Sequence, residues 1–147
     1  MEIYTIGFTK TTAADFFGRL KSAGIRRLID VRLNNVSQLA GFAKKDDLAY
    51  FLRELCDAEY VHAPLLAPTR ELLDSLKKRK GSWEEYEAGF MELLRQRRVE
   101  EKLAPAYFEG PSVLLCSEDT AVHCHRRLVL EYLAEKWPSA SVNAVHL

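Results

Sequence analysis

The sequence predicts an α/β domain, a three-layer sandwich with a mostly parallel five-stranded sheet of the Rossmann-like or flavodoxin-like kind. Three observations carry this expectation. The chain has 147 residues, the size of one ordinary domain. Short apolar runs alternate along it with stretches of helical period. One of those runs, Val113-Leu114-Leu115, is continuously apolar, as in a central strand buried on both faces.

The elements follow in order. Ile3 to Ile6 is an apolar run ending at Gly7, the first strand. Thr12 stands three residues before Asp15 and ahead of Phe16, Phe17, Leu20 and Ala23, an N-cap followed by an apolar helical face. Gly24 and then Ile25 read as a helix stop with a hydrophobic contact beyond it. Leu28 to Val31 is the second strand, parallel to the first because a helix joins them. Asn34 to Lys45 has no period and reads as a loop, a kind that in compact domains is often functional. Leu48, Phe51, Leu52, Leu55 and Cys56 then line one helical face. Glu59 to His62 is the third strand, stopped by Pro64.

Thr69 to Val99 is helical, an insertion over about 69–99 broken near Gly81-Ser82. The four cations Lys77-Lys78-Arg79-Lys80 before that break read as a solvated helix end. After the fourth strand, Leu128, Val129, Tyr132 and Leu133 mark a helix ending near Trp137-Pro138, and Val142 to Leu147 is the fifth strand. No linker divides residues 1–147, so one domain is expected.

Composition narrows the classes. At 48% hydrophobic and 29% charged the chain is globular in character. No apolar run approaches the roughly 20 residues of a membrane span. The N-terminus has no basic region followed by an apolar stretch, so the chain is expected in the cytoplasm. Lys plus Arg equals Asp plus Glu at 21 each, which removes a global electrostatic footprint for nucleic acid. Three cysteines in a reducing compartment point to catalytic, metal-linked or redox use before a disulfide framework.

In parallel sheets ligands bind outside the carboxyl ends of the strands. That rule selects Gly7 from strand one, Asp30, Arg32 and Asn34 from strand two, His62 from strand three, and Cys116 and Glu118 from strand four. The following helix opens at Cys124, His125 and Arg126, and strand five brings His146. Cys124 near a helix start meets free backbone N–H groups that favour a thiolate. The plain alternative is that cysteines are commonly buried and simply pack. Arg32, Lys10 and Arg126 could hold an anion together, or Arg32 could pair with Glu118 and Asp30 with Arg126 as a structural network. Cys116, Cys124, His125 and His146 could supply metal ligands, but no CxxC or HxxxH pair is present and no metal is assigned.

These same residues carry a family resemblance. Thr5-Ile6-Gly7, Asp30-Val31-Arg32 with Asn34, Gly41-Phe42-Ala43-Lys44, Tyr60-Val61-His62-Ala63-Pro64, and Leu115-Cys116-Ser117-Glu118 leading to Cys124-His125-Arg126 resemble the bacterial and archaeal family called Domain of Unknown Function 488. The resemblance implies as signature residues Asp30, Arg32, Phe42, Lys44, His62, Cys116, Glu118, Cys124, His125 and Arg126. Relatives often have Leu-Gly-Gly where this chain has Leu66-Ala67-Pro68, and proline in place of Asn35. It implies no reaction.

The functional expectation is an enzyme with a thiol-containing site for a small anionic substrate, phosphate-bearing or nucleotide-like. Cys124, Cys116, Glu118 and His125 are its catalytic candidates. Arg126, Arg32, Asp30, Asn34, Lys44, His62 and Gly7 are its binding candidates, and any cofactor is left unknown. Two other classes stay open. One is a nucleic-acid-binding or repair-associated module using Lys44, Lys45, Arg70 and Lys77 to Lys80, which zero net charge disfavours; the other is a metal-binding protein.

Overall fold

A computed structural model describes residues 1–35, 41–77, 82–117 and 124–147. In chain order the elements are β1 (Glu2–Gly7), α1 (Ala13–Ser22), β2 (Arg27–Asp30), α2 (Lys45–Phe51) and β3 (Glu59–His62). Then come α3 (Arg70–Lys77), α4 (Trp83–Arg97), α5 (Val99–Lys102), β4 (Ser112–Cys116), α6 (His125–Lys136) and β5 (Asn143–His146). The five strands form one parallel sheet in the order β3-β2-β4-β1-β5. This is the expected α/β architecture, with β4 set between β1 and β2.

Local chemistry fixes the ends of α1. Thr12 Oγ1 accepts the Asp15 N–H at 3.1 Å, satisfying one orphan donor of the first turn. At the other end Gly24 takes φ +68°, which only glycine adopts cheaply. Gly24 N–H then reaches the Lys21 carbonyl and Ile25 N–H the Leu20 carbonyl, the paired bonds that close a helix, while Ile25 is buried.

Side-chain alternation across the strands divides the core in two. Leu28, Val113, Leu115, Ile6 and Phe8 meet Phe16, Phe17 and Leu20 of α1 and Leu48 of α2 on one face. Ile3, Ile29, Val31, Leu114 and Cys116 meet Phe90 and Leu94 of α4 and Leu128, Val129 and Leu133 of α6 on the other. Every residue of β4 is buried, as its continuous apolar run requires. The edge strand β5 is largely exposed.

Some local readings change. The expected loop from Asn34 to Lys45 contains a 3-10 turn at Gly41–Ala43, and α2 begins at Lys45; residues 36–40 lie outside the described residues. After α2 the chain winds as a π turn over Leu52–Cys56. Its extra residue per turn shifts the helical phase, so Leu55 is 48% exposed while Leu48 and Leu52 are buried. The break expected near Gly81-Ser82 falls between α3 and α4. Ser82 caps α4 by accepting the Glu85 N–H, and the cations at 78–80 lie outside the described residues.

Candidate functional site

The carboxyl ends of β1, β2 and β4 meet at one rim. Thr9 holds it together by donating its backbone N–H and its hydroxyl to the Ser117 carbonyl at 3.1 and 2.8 Å. Val31 N–H donates to the Leu115 carbonyl at 3.1 Å. β4 leads into α6 on one face, whereas β1 and β2 lead into α1 and α2 on the other. Neighbouring strands that send their chains to opposite faces create the place where open α/β sheets bind ligands.

On the α4/α6 face stand Cys116, Cys124 and His125. Cys116 ends β4 and Cys124 directly precedes α6, and the two are disulfide-bonded with Cα atoms 7.3 Å apart. Their exposures are 5% and 2%. His125 Nε2 lies 2.7 Å from the Val31 carbonyl oxygen. A carbonyl can only accept, so Nε2 carries a proton, and Nδ1 is the ring nitrogen turned toward the thiols. That Nδ1 lies 3.5 Å from Cys116 Sγ. The ring also packs against Phe90, with centroids 5.4 Å apart. The orientation of the imidazole is therefore fixed by the fold.

On the α1/α2 face stand Asp30 and Arg32, which pair with each other. Arg32 Nε and Nη2 donate to the two Asp30 carboxylate oxygens at 2.9 and 2.8 Å. Nη2 also donates to the Ala43 carbonyl at 2.7 Å, and the guanidinium lies over the Phe8 ring at 5.1 Å. Tyr60 adds its hydroxyl to Asp30 at 2.6 Å, and Asn35 Nδ2 donates to that hydroxyl at 3.1 Å. Burial first, and then the Asp30 carboxylate, push the Tyr60 phenol well above its usual pKa, so it remains a donor. Arg32 is 3% exposed, and its Nη1 has no hydrogen-bond partner among the described residues.

The sheet thus separates groups that the sequence reading gathered into one anion site. Alternation along β2 turns Asp30 and Arg32 toward α1 and α2, where Asp30 pairs with Arg32 rather than with Arg126; Glu118, the partner expected for Arg32, lies outside the described residues. Arg126 is buried in the first turn of α6, on the thiol side. Its charge acts on His146 of the edge strand, whose pKa is lowered by burial first and then by Arg126 and Arg127. His146 Nδ1 is 2.5 Å from Thr5 Oγ1. Gly7 is buried and pairs with Cys116 in the sheet register. His62 Nε2 donates to the Arg32 carbonyl at 2.9 Å. Lys44 is half-buried ahead of α2, and Asn34 and Lys10 are exposed. Glu118 and His123 lie outside the described residues.

A family model described as Domain of unknown function DUF488 matches residues 12–133. The chain belongs to this family. Searches of curated proteins and of solved structures give no match. The DUF488 span takes in the thiol cluster, Arg126 and the hydrogen-bonded partners of Asp30, while Thr5, Gly7, Phe8 and His146 stand outside it.

Three contributors to the site escaped the sequence reading. Tyr60 stands in a motif quoted for DUF488, yet its hydroxyl becomes visible as a partner only once β3 is set beside β2 with Tyr60 opposite Leu28. Asn35 sits in a loop without period. The Val31 carbonyl is backbone, for which side-chain patterns carry no signal. An apolar recess of about 350 Å³ between α1 and α2 is lined by Phe17, Phe42, Phe51 and Leu55 with Lys21 as its charged group, and it does not touch the thiol cluster.

Proposed function

We propose that this DUF488 chain is a thiol–disulfide enzyme that reduces a small anionic substrate by two electrons. The single observation behind this reading is the Cys116–Cys124 bond beside an imidazole whose Nδ1 approaches Cys116. Cys116 replaces Cys124 as the attacking sulfur, because His125 Nδ1 approaches Cys116.

In the reduced enzyme Cys116 passes its proton to His125 Nδ1. The thiolate attacks one atom of a weak bond in the substrate, and the departing atom takes the pair of electrons and that proton. Cys124, losing its own proton to the second leaving group, attacks the Cys116 sulfur and expels the remainder of the substrate. The substrate gains two electrons and two protons, and the cysteines become a disulfide. An external dithiol returns the pair to its reduced form and is itself oxidised. Sulfurs so deeply buried favour a small substrate over a protein thiol. Arg126 in the first turn of α6 is the candidate for the anionic group, phosphate included.

Thiol counting after denaturation tests the first half. Air-oxidised protein should show one thiol, Cys56, and dithiol-reduced protein all three. Consumption of a dithiol in the presence of small acidic disulfides such as glutathione disulfide, or of phosphate-bearing oxidants, tests the second. Cys116→Ser and Cys124→Ser should each remove turnover, whereas Cys56→Ser should keep it. Three free thiols in the oxidised sample, or turnover surviving in Cys116→Ser, overturns the reading.

A further inference from the structure

The reduced thiol cluster satisfies a second kind of chemistry. Cys116 Sγ, Cys124 Sγ and one ring nitrogen of His125 all lie within 4.8 Å of one another, and all three residues are buried. We propose that Cys116, Cys124 and His125, once reduced, form an open Cys2His site for a soft or borderline divalent cation such as zinc. This rests on the thiol–disulfide reading, because the disulfide must open before the sulfurs can bind metal.

The geometry supports it at three points. With metal–sulfur bonds near 2.3 Å and metal–nitrogen bonds near 2.05 Å, a tetrahedral site sets sulfur and nitrogen about 3.5 Å apart. Cys116 Sγ and His125 Nδ1 stand at 3.5 Å already. Two sulfurs on one such ion lie about 3.8 Å apart. Cys116 at the end of β4 and Cys124 just before α6 bring both sulfurs and the His125 nitrogen to within 4.8 Å of one another, close enough for one ion to reach all three once the sulfurs are released. The third point is the anchoring of His125: its Nε2–H is held by the Val31 carbonyl, the arrangement that presents the other nitrogen to a metal.

Charge favours the same occupant. Two buried thiolates without a cation cost several kcal/mol of lost solvation. Two thiolates, one neutral imidazole and a divalent ion sum to zero, whereas the one positive charge of buried Arg126 on this face offsets only one of two thiolates. Reduction supplies two electrons and two protons to the disulfide, and metal binding then releases both protons. Oxidation reverses this and ejects the ion. The site therefore alternates between a disulfide and a metal thiolate, and bound metal masks Cys116 from substrate. The lack of a CxxC or HxxxH spacing is no obstacle, because β4 and the start of α6 bring the ligands together across the fold.

Cobalt titration of the dithiol-reduced full chain, with three thiols confirmed by counting, reads the site directly. One equivalent of Co(II) should bind with a thiolate-to-cobalt charge-transfer band and tetrahedral d–d bands, and Zn(II) should displace it. Cys116→Ser, Cys124→Ser and His125→Gln should each weaken apparent affinity by at least ~100-fold, at or beyond the 10–100-fold loss of an outer-shell partner. Should those variants fold poorly, the wild-type chain gives its own control: Zn(II) should raise the melting temperature of reduced protein and leave oxidised protein unmoved. No one-to-one uptake by the reduced chain, or uptake without a sulfur band, overturns the proposal while leaving the thiol–disulfide reading intact. Metal uptake in a chain whose thiols never form the disulfide overturns that reading instead.

Discussion

At the scale of single residues, the Asp30–Arg32 pair is a fully buried polar commitment. Asp30 accepts four hydrogen bonds: from the Arg32 backbone, from two Arg32 side-chain nitrogens and from Tyr60. Breaking a buried pair from one side leaves an uncompensated charge and costs about 3–5 kcal/mol. Asp30→Ala should therefore lower the unfolding free energy by about that much in urea denaturation. Tyr60→Phe removes one bond to a charged acceptor and should cost less, about 1.5–3 kcal/mol. If Asp30→Ala costs no more than Tyr60→Phe, the carboxylate is not the centre of the network. Both members of the pair were legible as candidate residues in the sequence. Their mutual pairing was not, because it depends on which face of the sheet a short strand turns each side chain toward.

Among the elements, those with end signals were readable and those without them were not. Thr12, Gly24 and Ser82 act as caps or stops in the structure, and each shows its role through residue chemistry alone. The π turn at Leu52–Cys56 has no such mark, so a regular helical period misplaced Leu55. The packing of α3 on α4 depends on a further detail. Gly89 lies inside α4, and a Cβ added there would stand 2.9 Å from Leu72 Cδ1 of α3. Alanine is about 1 kcal/mol better than glycine inside a helix. The opposing contact is the tip of a flexible, half-buried side chain that can turn aside. Gly89→Ala should therefore match or exceed wild-type stability, by no more than about 1 kcal/mol. A loss above about 2 kcal/mol in thermal unfolding would show that α3 cannot yield.

For the whole molecule, the end of β2 joins two chemistries that the sheet keeps apart. Asp30 and the Arg32 side chain serve the α1/α2 face, while the Val31 carbonyl between them orients His125 on the other. The convergence of parallel strand ends was legible from the alternation of apolar runs and helices. The division into two sites was not, since it follows from β4 entering between β1 and β2. The disulfide ties β4 to α6 on one side only, across a sequence separation of 8. Closing so short a loop restricts the unfolded chain by about 2–3 kcal/mol in the chain-entropy treatment. Reduction without metal should lower the urea midpoint by that amount divided by the denaturant slope, and the slope itself should change little. Cys116→Ser should lose the same stability in oxidising buffer and respond no further to a dithiol. Adding Zn(II) to the reduced wild-type chain should then recover stability in proportion to the logarithm of its concentration, because the ion binds the folded form preferentially. A midpoint that ignores both dithiol and zinc would mean that the two sulfurs bear on neither the stability nor the chemistry of this face.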